Sequence, residues 1–381
     1  MNWNDFLDQL KTSNEVDQYT VAKQTDEEVI DFLLMNLALA YVLMARSDPE
    51  RPEFLPCANM VLNHSATNPD NAAFCAIIDG NNHYRISGYR GTVHTIEFQV
   101  GHNWQGHAET MGGSTQTIKI NELNVERDGY FEILLSQEKP KHHKENWIKL
   151  EENSNYVVVR QTGYKPDEQN ARIAIENLSP LSCRRRPPLD QKAFQKVINF
   201  VKYNANSSLG FLKDVADEAV VNTFKNYDWS AIGGVKNQVY QQSIYDIPKD
   251  QAMILTYKVP DTCTYWNIQT SDLLWQTPDA VYAQTYLNGH IDRSDADGLT
   301  RLVLSHSDPG VANWVDLYDV KQGYILVRWL ECGDAPLPDI KIVALEDLEK
   351  HLPKDTKLIT PEQRALSIRE NAVAKQLRRD W

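Results

Sequence analysis

The stretch "SHSDPGVANWVDL", residues 305–317, gathers a histidine, two aspartates and a Pro-Gly pair into a short span. Histidine titrates near neutrality and serves as a general acid or base when a carboxylate orients it. His306 and Asp316 have the residue types for such a pair and lie on either side of a turn. Asp308-Pro309-Gly310 reads as a type II turn, with proline preset at the first central position and glycine at the second, so Asp308 needs no chemical role. The plainer alternative makes His306 and Asp316 solvated surface groups. Glu331, at the end of "GYILVRWLE", supplies another carboxylate.

Strand alternation in "GYILVRWLE" puts Tyr324, Leu326 and Arg328 on one face and Ile325, Val327, Trp329 and Glu331 on the other. An arginine in so apolar a strand needs a carboxylate partner or an anionic ligand, because a buried unpaired charge is very costly. Arg160 holds the same place in "NYVVVRQ". Trp275 and Trp104 offer flat walls on which a ligand stacks. The candidate set is therefore His306, Asp316 and Glu331 for catalysis, with Arg328, Trp275, Arg160 and Trp104 for binding. Two groups carry metal-ligating residue types: His102, His107 and Glu109 in "HNWQGHAE", and the Asp292 to Asp297 loop "DRSDADG". The first spacing follows neither helix nor strand periodicity, and the second lacks the downstream acidic ligand of a calcium loop. No metal and no cofactor are assigned.

These residues must be held by a framework that the sequence outlines. Helical patterning runs to about residue 46, followed by the proline-containing "SDPERPEFLPC". Short strands punctuated by turn residues then extend to 178, as in a sandwich or jelly roll. After an Arg-Pro linker come two expected helices, one with Phe194, Val197, Ile198 and Val201 on a face, the other with Leu209, Leu212, Ala216, Ala219 and Val220. Strands resume from 251 to 345, and Thr360-Pro361-Glu362-Gln363 opens a last helix through a capping box.

The two strand-rich regions repeat each other. Asp128-Gly129, Leu135-Ser136, Asn146-Trp147 and Tyr156…Arg160 recur in order as Asp297-Gly298, Leu304-Ser305, Asn313-Trp314 and Tyr324…Arg328. Upstream, Gln99 and Trp104 match Gln269 and Trp275. Agreement in order and spacing implies a duplication, expected to pack with pseudo-two-fold symmetry. Features in both copies belong to the scaffold first, and Asp-Gly reads as hairpin turn chemistry. The fold expected is mainly β with accessory helices (α+β): two related antiparallel β-sandwich or jelly-roll-like domains from the internal duplication. Boundaries are expected at 1–50 (N-terminal helical), 51–180 (first β domain), 181–245 (linker and helical connector), 246–350 (second β domain) and 351–381 (C-terminal helical tail).

Composition narrows the function classes. A chain of 381 residues with 42% hydrophobic and 24% charged residues is ordinary for a globular protein of two or three domains. A net charge of -13 opposes contact with nucleic acid or an anionic membrane. The cysteines Cys57, Cys75, Cys183, Cys263 and Cys332 are scattered, which suggests reduced thiols in a cytoplasmic protein. The N-terminus lacks a signal-peptide pattern. The apolar "FLLMNLALAYVLMA", residues 32–45 with Asn36 inside, is expected to be a buried helix too short to span a bilayer. No nucleophile elbow, P-loop, Rossmann fingerprint or H-E-x-x-H helix is present.

"NPDNAAFCAIIDGNNHYRISGYRG" (68–91), "DADGLTRLVLSHSDPGVANWVDL" and "GYILVRWLE" resemble the bacterial family catalogued as domain of unknown function 1214. The resemblance implies β-sandwich domains with helices and brings no catalytic residue with it. Members often continue Asn-Trp with Asp-Thr and a glycine turn, where this chain has "VDLYDVKQG". The sequence leads to an enzyme acting on a small sugar-like or lipid-like molecule in a cleft between the β domains. The alternatives are a non-catalytic carbohydrate- or lipid-binding module, and an assembly protein whose terminal helices mediate a homo-oligomer.

Overall fold

The structure is a computed structural model describing residues 2–11, 26–104, 106, 108, 112–183, 185–186, 188–230, 233–291 and 293–378. Its first half contains β1 (Leu55–Ala58), β2 (Asn71–Ile77), β3 (Tyr84–Tyr89), β4 (Thr95–Gly101), β5 (Ser114–Lys119), β6 (Tyr130–Ser136), β7 (Trp147–Lys149), β8 (Tyr156–Thr162) and β9 (Arg172–Asn177). They form two sheets, ordered β1-β2-β8-β4-β5 and β7-β6-β3-β9. The second half repeats this strand for strand: β10 (Lys225–Tyr227), β11 (Gln238–Asp246), β12 (Gln251–Tyr257), β13 (Tyr265–Ser271), β14 (Tyr286–Asn288), β15 (Thr300–Ser305), β16 (Trp314–Asp316), β17 (Gln322–Leu330) and β18 (Asp339–Ala344). Their sheets run β10-β11-β17-β13-β14 and β16-β15-β12-β18, the same two orders. The mainly β fold and the duplication read from the sequence are present. β10 and most of β11 fall within the segment expected as a connector, because β10 has only three residues and β11 buries the polar Gln238, Gln241, Gln242 and Ser243, which leaves no apolar alternation.

In each half, apolar residues from both sheets interdigitate. Phe98, Val157 and Val159 meet Ile86, Phe131 and Ile133 in the first core; Ile268, Ile325, Val327 and Trp329 meet Met253, Leu255 and Leu302 in the second. The alternation of β17 is as expected, with Ile325, Val327 and Trp329 in the sandwich and Tyr324 and Leu326 on the opposite face. That outward face is not solvated. It packs on helices or on the other half, so both faces of the strand are buried.

The repeated motifs are scaffold. Asn146 Nδ2 donates to the carbonyls of Asn124 and Glu132, and Asn313 Nδ2 to those of Arg293 and Arg301. Trp147 Nε1 donates to Ser136 Oγ (2.9 Å) and Trp314 Nε1 to Ser305 Oγ (3.0 Å). These side chains tether β7 and β16, which pair in parallel with β6 and β15 for only three residues each. Gly129 and Gly298 have φ of 89° and 77°, the left-handed backbone that the Asp-Gly turns require.

Among the described residues four α-helices surround the sheets: α1 (Trp3–Lys11), α2 (Asp26–Ala40), α3 (Gln191–Glu218) and α4 (Pro361–Leu377). The two helices expected after the linker are one continuous helix, α3. Asn204 and Asn206 interrupt the apolar period but do not break a helix, since neither glycine nor proline stands at that point. The side chains of Leu209 and Leu212 lie outside the described residues. The apolar stretch belongs to a longer helical run, since α2 continues as a π-turn over Tyr41–Ala45. Glu27–Ala45 is long and apolar enough to cross a membrane by length and composition, which corrects the expectation that the helix is too short. Phe32, Leu39 and Leu43 are buried, while Ile30, Leu34 and Tyr41 are exposed. Asn36 donates to Phe32 O and accepts from Asn204 Nδ2 of α3.

α4 opens as expected, with Thr360 Oγ1 accepting from Gln363 N and Gln363 Oε1 from Thr360 N. It straps the two halves together. Arg364 pairs with Asp308 (2.9 Å) and lies over the Trp314 ring, Lys375 pairs with Asp70 (3.1 Å), and Arg378 donates to the carbonyls of Asp70 and Gln161. Asp308 also accepts from Gly310 N, so it combines its turn role with helix docking. The expectation of five reduced thiols is corrected: Cys263 and Cys332 form a disulfide. The antiparallel pairing of β13 with β17 sets Tyr265 opposite Leu330 and so brings the flanking cysteines together.

Candidate functional site

The outward faces of β8 and β17 look into a cavity of about 210 Å³ between the two halves. Arg160 of β8 donates from Nη1 to Gln99 Oε1 on the neighbouring β4, and Arg328 of β17 does the same to Gln269 Oε1 on β13. The second nitrogen of each crosses to the other half. Arg160 Nη2 donates to Gly233 O at 2.8 Å and Arg328 Nη2 to Ala66 O at 2.5 Å. Ala66 and Gly233 occupy equivalent places before β2 and β11, so the crossing is reciprocal.

The tryptophans follow the same relation. Trp104 meets Tyr156 edge to face at 5.1 Å and Trp275 meets Tyr324 at 5.8 Å. Trp229 lies beside Trp275 at 6.5 Å. With Tyr240, whose ring stands 6.0 Å from the Arg328 guanidinium, they form an aromatic wall. Burial pushes the Tyr156 phenol up to about 12 and raises Tyr240, so both stay protonated.

Among the described residues no aspartate or glutamate lines this cavity, and neither arginine makes an ion pair. Glu97 stands opposite Arg160 on β4. Its carboxyl is buried, raised by that burial, and its Oε1 lacks a hydrogen-bond partner among the described residues. The matching residue opposite Arg328 is the neutral Asn267. Burial pulls the Arg328 guanidinium below its ordinary value, the sign of a cation short of counter-charge.

One loop supplies a group that only the first copy has. His64 Nε2 bonds to Cys57 O at 2.8 Å and Nδ1 to Ser65 Oγ at 3.1 Å. A carbonyl only accepts, so Nε2 carries the proton; burial lowers the imidazole pKa, and Nδ1 accepts from the Ser65 hydroxyl. Ser65 and Ala66 have φ of 55° and 50°, strain that persists only when surroundings enforce it. Ala66 N donates to Trp275 O at 2.7 Å, one such constraint. Trp275 also has positive φ (57°), in a turn where Asp272 Oδ1 accepts from Leu274 N and Gln276 N. Burial raises Asp272 to about 7.

The four sequence-derived binding residues, Arg160, Arg328, Trp104 and Trp275, all line this cavity. The three catalytic candidates do not. His306 Nε2 bonds to Ile247 O at 2.9 Å, and Asp316 Oδ1 accepts from Tyr318 N. Burial raises the Asp316 carboxyl while nearby His306 opposes the shift, and no hydrogen bond joins the two. Glu331 lies past the far end of β17, about 20 Å or more from Asp316 by strand length, where it pairs with Lys119 of β5 and accepts from Thr264 Oγ1. The grouping of His306, Asp316 and Glu331 beside Arg328 is therefore not what the chain builds. Glu331 changes face at the strand end because its φ is 54°, which alternation alone does not anticipate.

Of the metal candidates, His107, Glu109 and Asp292 lie outside the described residues. Asp295 and Asp297 both turn to Arg301, at 2.7 and 2.6 Å. Among the described residues no group of three or more His, Cys, Asp or Glu gathers as a metal site.

The family model described as "Protein of unknown function (DUF1214)" matches residues 76–168, bearing out the resemblance read from the sequence. A crystal structure of an uncharacterized protein from Burkholderia cenocepacia is similar over 90% of this chain and 97% of its own, with TM-score 0.82 and 27% identity. The VPA0106 protein from Vibrio parahaemolyticus overlaps 82% of this chain and 99% of its own at TM-score 0.49 and 11% identity, too distant to carry an argument. No curated protein matches.

Proposed function

We propose that the cleft between the two halves binds a small molecule with an anionic head and an apolar or aromatic body, the lipid-like class rather than the sugar-like one. The supporting observation is the pair of guanidiniums, Arg160 and Arg328, set in a cavity whose described lining holds no carboxylate and is walled by Trp104, Trp229, Trp275 and Tyr240. A guanidinium matches a carboxylate or phosphate with two parallel bonds, and aromatic walls reward an apolar body. Thermal-shift measurements with medium-chain fatty acids, aromatic carboxylic acids and neutral sugars test it. The acids are expected to raise Tm, equally so in His306→Ala, and the sugars to leave it unchanged; stabilisation by sugars and not by acids would refute the reading.

A second reading is favoured by one contact. Ser65 Oγ donates to a neutral His64 whose ring is oriented by Cys57 O, the relation of a nucleophile to its base. Attack by Ser65 on an ester of such an acid would pass the hydroxyl proton to Nδ1 and then to the leaving alcohol, and water would release the acid. Labelling by a fluorophosphonate that is lost in Ser65→Ala would establish it. No labelling of the wild-type protein that still binds acids would leave binding alone.

A further inference from the structure

A second cavity, of about 350 Å³, lies beneath α4 and shares no lining residue with the cleft. Its walls come from the turn after β8, from β14 with the loop that follows it, and from α4. Among the described residues, six cations line it, Lys165, Arg293, Lys357, Arg364, Lys375 and Arg378, against Asp70 and Glu370. In a chain of net charge -13 this is a local reversal of sign, and a walled concavity of one sign concentrates counter-ions.

Three of the cations are already engaged: Arg364 by Asp308, Lys375 by Asp70, and Arg378 by the carbonyls of Asp70 and Gln161 and by Asn170 Oδ1. Arg293 has no carboxylate partner among the described residues. Its Nε donates to Asn288 O (2.7 Å) and its Nη1 to Asn313 Oδ1 (3.3 Å), both neutral acceptors, and among the described residues it has no ion pair. Those two bonds fix the plane of the guanidinium and leave Nη2 for another acceptor. Burial drags its pKa down to about 10. Lys165 and Lys357 stand exposed at the rim. Arg293 belongs to the "DRSDADG" loop, and it faces the cavity while Asp295 and Asp297 are drawn off to Arg301.

We propose that this cavity is a binding site for the phosphate group of a small phosphorylated molecule, held by Arg293 with Lys165 and Lys357 and closed over by α4. A dianion suits a fixed guanidinium fork flanked by two flexible ammonium groups. The cavity is larger than a phosphate alone needs, and Tyr164, Tyr286 and Asn371 border the remaining space. Because Arg364 and Lys375 of α4, with Arg378 just after it, already bridge to both halves, occupancy tightens the strap.

The experiment is titration of the full chain with inorganic phosphate and with glycerol 3-phosphate, by calorimetry and by hydrogen exchange of α4, against sodium chloride at matched ionic strength. Saturable binding with slower exchange in α4 is expected, and glycerol 3-phosphate should bind more tightly if the extra space is used. Arg293→Gln should weaken binding at least tenfold, about the loss of one charge-assisted hydrogen bond. Arg293 also holds Asn288 and Asn313, so Lys165→Ala with Lys357→Ala, both exposed, is the second variant, with a loss of about tenfold. Phosphate that acts no differently from chloride overturns the site, as does binding that neither variant weakens. Acid binding in the cleft should be unaffected by these variants, so the two sites fail or stand separately.

Discussion

Replacing both cleft arginines, Arg160→Gln with Arg328→Gln, is expected to weaken binding of an acidic ligand by about a hundredfold or more in calorimetric titration. Hydrogen bonds to charged groups contribute about 1.5–3 kcal/mol each, and about 1.4 kcal/mol is a factor of ten. Two guanidiniums on one anion therefore account for at least two decades. Glutamine keeps an amide donor for the loop carbonyl of Ala66 or Gly233 but cannot supply charge. Arg328 is buried without a carboxylate opposite it, so its neutral replacement removes a desolvated charge as well as two bonds. Stability should consequently fall far less than affinity. Unchanged affinity for the acid in a folded double variant would sink the proposal.

Asp70→Ala should be among the most destabilising single substitutions in the chain. Asp70 is buried, and Oδ2 accepts from Tyr265 Oη (2.9 Å) and Asn288 Nδ2 (3.0 Å) while Oδ1 meets Lys375 Nζ (3.1 Å). Its removal strands a buried ammonium whose pKa burial already lowers. Breaking a buried pair from one side costs about 3–5 kcal/mol, a large part of the roughly 5–15 kcal/mol that holds a typical protein folded. The urea midpoint should fall accordingly, and Asp70→Ala with Lys375→Met should recover part of the loss because no charge is left unpaired. A midpoint equal to wild type in Asp70→Ala would show that α4 does not depend on this pair.

The duplication made most of the frame legible. Asn-Trp, Leu-Ser and Asp-Gly recur because each does a local job, and a local job leaves a local pattern. The cleft-lining arginines were legible for the same reason: an arginine inside an apolar strand is conspicuous, and it appears twice. What escaped is what depends on the packing of one half against the other. Nothing in "NHSATNPD" announces that Ala66 O will receive Arg328, that Asp70 will anchor Lys375 of α4, or that His64 and Ser65 will face the cleft. Those contacts join residues some 200 to 300 positions apart. His306 misled because its partner is a backbone carbonyl, Ile247 O, which every residue type possesses and no motif reveals. Glu331 misled through one positive φ at a strand end. Composition likewise gave no hint that Cys263 and Cys332 would meet, since register decides that and spacing does not.

The most direct measurement is a crystal structure of the chain with the acid that most raises Tm. The anionic head should lie within about 3.2 Å of guanidinium nitrogens from both Arg160 and Arg328, with the body against Trp104, Trp229 and Trp275. An acid bound elsewhere on the molecule, with the cleft arginines still holding only Gln99, Gln269, Ala66 and Gly233, would contradict the proposed function.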